Sequence, residues 1–167
     1  MQYMKLDDPS RAELLRELAT MPGWLQQEFG ALPVEKLTAA GPDGLFSPVE
    51  QVWHLADLEA EGFGARIDRL LREAHPHLPD FDGTAIARAR DYRSLSLAQG
   101  LERFAAARRA NLERLRATPE AAWTNTGLQE GVGEVTLCDM PMFLRQHDLA
   151  HREEIRRWFR DVGSPRD

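Results

Sequence analysis

The last third of the chain carries the pattern that most narrows its fold. Met140, Leu144, His147, His151, Ile155, Trp158 and Val162 recur at three- and four-residue steps, and at 100° per residue they fall on one stripe of a helix. A stripe this long must be buried against other elements, and the two histidines at its centre are buried with it. The helix is predicted to start between Thr136 and Met140, where Thr136 and Asp139 are candidate caps and Pro141 is tolerated. It should run to about Asp161, with Gly163 and Pro165 ending it.

Three further segments have the same period. Ser10 can cap a first helix with Leu14, Leu15, Leu18, Met21, Leu25 and Phe29 on its inner side, and Pro22-Gly23 is a candidate kink or break. Residues 39 to 47 read as a loop. Ser47-Pro48-Val49-Glu50 then combines a cap, a proline at the first helical position and a glutamate three residues after the cap. That second helix should extend to about Glu73 on a stripe of Val49, Val52, Ala56, Phe63, Ile67 and Leu70, stopped by His75-Pro76-His77-Leu78-Pro79. Ser96 can cap a third, with Leu101, Phe104, Ala105, Leu112 and Leu115 inward and Thr118-Pro119 at its end. Arg108 falls within that stripe and must either snorkel or enter a polar pocket. Gly127, Gly131 and Gly133 mark a turn-rich connection with room for a short hairpin but no sizeable sheet. The reading is an all-α chain, a four-helix bundle in one domain over residues 1–167.

Several function classes are disfavoured. The net charge is -6 and the arginines alternate with acidic residues along the helices, so no basic face offers itself to nucleic acid. No stretch reaches the roughly 18 apolar residues that span a bilayer, and Asp7-Asp8 interrupts the N-terminus before an export signal could form. Cys138 is the only cysteine, so no disulfide forms within the chain, and a cytoplasmic location is expected. At 167 residues the core needs no structural metal, so a metal site here would serve function.

The i, i+4 spacing of His147 and His151 lets two imidazoles share one ion, and imidazole suits zinc, nickel, copper or iron. The competing reading is a pair of core histidines hydrogen-bonded to backbone or to Asp148 and Glu154. Two buried rings must each find partners or cost a few kcal/mol. His54 is a candidate third ligand, with Asp57 one turn on as an acceptor for its ring, but periodicity puts it opposite the core stripe of its helix. His75 and His77 flank a proline in a polar loop. Cys138 has no histidine at helical spacing to serve as its base. Asp57, Glu61 and Arg108 are candidate pocket residues, and Tyr92 and Trp123 candidate covers of a pocket mouth.

The stretch Phe46-Ser47-Pro48-Val49-Glu50-Gln51-Val52-Trp53-His54-Leu55-Ala56-Asp57, followed by His147-Asp148-Leu149-Ala150-His151, resembles the DinB/YfiT-like superfamily. The resemblance spans nearly the whole chain in helix number and order. It implies a four-helix bundle of that type in which His54, His147 and His151 bind one divalent metal ion, with zinc or nickel expected. The superfamily includes bacillithiol- and mycothiol-dependent S-transferases, so a low-molecular-weight thiol is a candidate cofactor. The resulting expectation is a metal-dependent enzyme of thiol S-transferase or hydrolase type acting on a small electrophilic substrate. Two alternatives stand beside it: a non-catalytic, stress-associated metal or small-ligand binding protein, and a metal-free bundle whose histidines satisfy one another. Apolar positions on several sides of the first two helices, Trp24 and Leu58 among them, point to a homodimer.

Overall fold

The computed structural model describes residues 6–163. Residues 1–5 and Pro165 lie outside the described residues.

The first helical region is two helices, α1 (Asp8–Leu18) and α2 (Met21–Phe29). Asp7, not Ser10, caps α1, its carboxylate accepting the Ser10 N–H at 2.9 Å. The break falls at Ala19-Thr20, ahead of Pro22-Gly23. Pro22 sits in the first turn of α2, where its missing N–H has no helical partner to lose.

Ser47 and Glu50 close the predicted capping box: Ser47 N–H donates to Glu50 at 2.9 Å, and the Ser47 hydroxyl accepts from Glu50 N–H at 3.4 Å. The helix they start is α3 (Pro48–Asp57), continued through a wide π turn (Leu58–Phe63) into α4 (Gly64–Arg72). Gly64 N–H reaches the Glu59 carbonyl, five residues back. Asn111 donates to the same carbonyl at 2.8 Å from the facing helix. A β-carbon on Gly64 would stand 3.1 Å from the Asn111 side chain, so the glycine makes room for this insertion.

The connection after α4 is more structured than the sequence indicated. It contains β1 (His77–Leu78), the short helix α5 (Gly83–Ala89) and a single turn over Tyr92–Ser94. α6 (Leu97–Arg116) follows, capped by the Ser96 side chain as expected. The glycine-rich connection forms the hairpin β2 (Thr126–Gln129) and β3 (Gly133–Thr136), paired antiparallel, with β1 joining β2 in parallel to give the order β1-β2-β3. α7 (Asp139–Trp158) completes the bundle, ending in a π turn to Gly163. Its first residue turns back: the Asp139 carboxylate accepts from Thr136 N–H and hydroxyl at 2.7 and 3.0 Å.

α3 packs along α6, and α1 along α7. One apolar cluster gathers Leu18, Ile67, Leu70, Leu115, Met140 and Leu144 toward the sheet end. The other gathers Met21, Leu25, Phe29, Val52, Phe104 and Ile155. Leu58 is buried inside the first cluster, and Trp24 packs on the second beneath the Arg152 guanidinium. Leu58 is thus enclosed within its own chain, whereas Trp24 stays half-buried. Among the described residues, no helix is long and apolar enough to cross a membrane.

Candidate metal centre

His54 comes from α3, and His147 and His151 from successive turns of α7. The fold brings all three together. Ring centroids lie 4.9 Å apart for His54 and His151, 5.7 Å for His54 and His147, and 4.3 Å for His147 and His151. One nitrogen from each ring falls within 4.8 Å of the other two. His75 and His77 lie apart: His75 contacts Thr126 at 3.0 Å, and His77 opens β1.

His151 is the best-held ring. Its Nδ1 stands 2.7 Å from Gln51 Oε1 and 3.1 Å from Glu154 Oε2. Gln51 in turn donates its amide to Glu154 Oε2 at 2.9 Å, which fixes the orientation of the amide, since an ionised carboxylate only accepts. Both neighbours of Nδ1 are therefore acceptors, Nδ1 carries a proton, and Nε2 faces Nε2 of His147, 3.0 Å away. Hydrogen bonds from His151 and Gln51 hold the Glu154 carboxyl down at about 2, so it is ionised at neutral pH. A carboxylate and an amide behind a ligating histidine are the usual means of fixing its tautomer.

The other two rings are kept neutral. Burial, reinforced by the nearby His151, lowers the pKa of His54 to about 4. His147 is held well below its ordinary value, first by burial and then by His151, His54, Arg108 and Arg66. His54 Nδ1 is buried with no hydrogen-bond partner. Three imidazoles within 4.8 Å of one another, two with facing nitrogens and two held neutral by burial, form a donor set that fits a divalent ion. A tetrahedral ion with bonds of about 2.0–2.1 Å separates its nitrogens by about 3.3 Å. The His147–His151 spacing of 3.0 Å is near this value.

A cleft of about 760 Å³ opens over His54 and His151, walled by Phe46, Thr84, Ala150, Glu153 and Arg157. His147 lies beneath, with the Phe63 ring edge-on at 5.9 Å. Behind it, Arg108 enters a polar pocket instead of snorkelling. It bonds both Asp148 oxygens at 2.7 and 2.8 Å, Glu59 at 3.0 Å and the Leu18 carbonyl at 2.9 Å, all buried. Asp148 is therefore a partner of Arg108 and not of the histidines, whereas Glu154 does serve His151.

Other expected roles change. Asp57 is buried and accepts from Tyr92 at 2.6 Å, from Arg103 at 3.0 Å and from Arg90, so it is no acceptor for His54. Glu61 binds the same two arginines. Tyr92 and Trp123 are core residues: Tyr92 stacks on Trp53, and Trp123 lies under Arg11. Cys138 is buried at the start of α7. Gln51 was missed by sequence reasoning. Its signal was position, one turn before His54 and on the side of α3 that faces α7.

A bundle whose facing helices bring imidazoles from two sides to the floor of a cleft falls in the class of helical proteins that build an internal polar site between helices. The chain belongs to the DinB superfamily, whose model matches residues 17–155. Among solved structures, YfiT from Bacillus subtilis aligns with a TM-score of 0.88 and 17% sequence identity, over 99% of this chain and 94% of that one. That protein is described as a probable metal-dependent hydrolase with an unusual four-helix bundle topology. At this identity the likeness speaks for the fold. No curated protein matches significantly.

Proposed function

We propose that the chain binds one divalent ion, zinc or nickel, through His54, His147 and His151, and that it is an enzyme acting on a small electrophilic substrate held in the cleft above them. The observation that carries the reading is the convergence of three imidazoles from two helices within 4.8 Å of one another, with Glu154 and Gln51 fixing a proton on His151 Nδ1 behind them. When bound, such an ion supplies Lewis acidity, and three protein ligands leave a position open. Phe46 and Phe63 limit water around the rings, and Glu154 stays ionised to hold the His151 proton. The description of YfiT as a probable metal-dependent hydrolase supports water as the co-reactant, and a low-molecular-weight thiol is the second candidate nucleophile. A cleft of this volume suits a small molecule.

Elemental analysis of protein purified without a histidine tag should find about one equivalent of zinc or nickel. Single alanine substitutions of His54, His147 and His151 should each lower it sharply, while His75→Ala and His77→Ala keep it. Metal-free protein that takes up no ion would sink the proposal. Bound metal without turnover of ester, amide or thiol-acceptor substrates would favour a binding protein.

A further inference from the structure

The three rings are held in different ways. His151 is fixed by hydrogen bonds, but His54 has a buried Nδ1 with no partner, so only packing sets its orientation. On one side stands the Phe46 ring, at 5.6 Å and tilted by 59°. Close on it is Gly83, the first residue of α5. A β-carbon at Gly83 would lie 2.4 Å from Cε1 and 2.6 Å from Nδ1 of His54, well inside van der Waals contact.

We propose that Gly83 is a positioning residue for His54: its bare α-carbon lets α5 close over the imidazole and hold it against His147 and His151. The inference rests on the reading of the three histidines as a metal site. With a side chain at this position, either α5 or the ring must move. α5 is poorly placed to yield, because the chain just after it is tied to the helix that carries His54. Arg90 and Tyr92 both bond Asp57, a buried carboxylate one turn beyond His54, and Arg103 of α6 bonds the same group. The ring therefore moves, away from α5 and out of register with its two partners. Glycine is not there for backbone reasons. Alanine is the better helix former, so any loss on Gly83→Ala comes from the contact with His54 and not from the backbone.

The test compares wild type, Gly83→Ala and Ala89→Gly, an exposed position in the same helix, by calorimetric zinc titration of metal-free protein. Side-chain imidazole NMR of the same proteins without metal reads the ring directly. Gly83→Ala should bind zinc at least about tenfold more weakly, in the range seen when groups that orient ligands are lost. Its His54 resonances should move while those of His75 and His77 stay. Ala89→Gly should lose helix stability and keep its affinity. Unchanged affinity in a Gly83→Ala protein whose wild type binds zinc would overturn the assignment, and so would unmoved His54 resonances. A wild type that takes up no zinc refutes the metal reading separately, and the resonances alone then decide the role of Gly83.

Discussion

Without metal, the chain should lose stability as the pH falls from 8 to 5, and His54 should account for a definable part of that loss. In the folded protein its pKa is lowered to about 4, by burial first and then by His151, against 6.5 for the free side chain. Between those values the unfolded chain binds a proton that the folded chain does not, so protons favour unfolding. The stability is whole above pH 6.5 and drains as the pH falls toward 4. The full shift corresponds to about 3 kcal/mol, of which about 2 kcal/mol is lost by pH 5. Stopping at pH 5 leaves Glu154 out of the balance, since its pKa moves from 4.5 to about 2 and its stabilising contribution is lost only below that window. The assay is urea unfolding of chelator-treated wild type and His54→Leu at both pH values. His147 remains in both proteins and is held down first by burial, so the difference between the two drops reports chiefly on His54. The variant's drop should be smaller by about 2 kcal/mol. Equal drops would show that His54 titrates normally in the folded state and is not enclosed as described.

Three further outcomes follow from the contacts around the site. Gln51→Leu should weaken zinc binding by about 10–100-fold in a calorimetric titration, because His151 loses the group that orients its Nδ1; an unchanged affinity would mean that Glu154 alone suffices. Arg108→Leu leaves Glu59 and Asp148 buried without a cation and should cost about 3–5 kcal/mol by chemical denaturation. A loss below about 1 kcal/mol would put that pocket in contact with water. Cys138 is buried, so a thiol reagent should label it only on unfolding.

The helices were legible wherever local chemistry decided them. Ser47 with Glu50, and Ser96 alone, stop the chain at fixed points because a side-chain oxygen must meet an otherwise unpaired N–H, and both caps stand where they were expected. The π turn over Leu58–Phe63 was not legible, since its extra residue is accommodated by Asn111 from a helix about fifty positions away in sequence. β1 was missed for a similar reason: two residues around His77 make no strand alone and become one by pairing with Leu128 and Gln129. The break before Pro22 was legible to within a few residues. In one continuous helix Pro22 could neither bond the Leu18 carbonyl nor clear it, so the chain breaks at Ala19-Thr20 and Pro22 falls in a first turn.

The site divides along the same line. His147 and His151 could be read from sequence because α7 has one wet face, against which a buried stripe stands out. His54 could not, because α3 has almost no wet face where it matters. Gln51, Val52 and every residue from Leu55 to Glu59 are buried, covered by α6, by α7 and by the connection carrying α5 and Tyr92. A hydrophobic period separates inside from outside only when an outside exists. Through the arc between Trp53 and His54 the helix is closed by a segment that reads as an irregular connection, and that segment brings Gly83 onto the imidazole. The resemblance to a known family located His54 where periodicity argued against it. The structure brings His54 beside the other two rings because the cover over this histidine comes from tertiary structure, which the sequence of α3 does not encode.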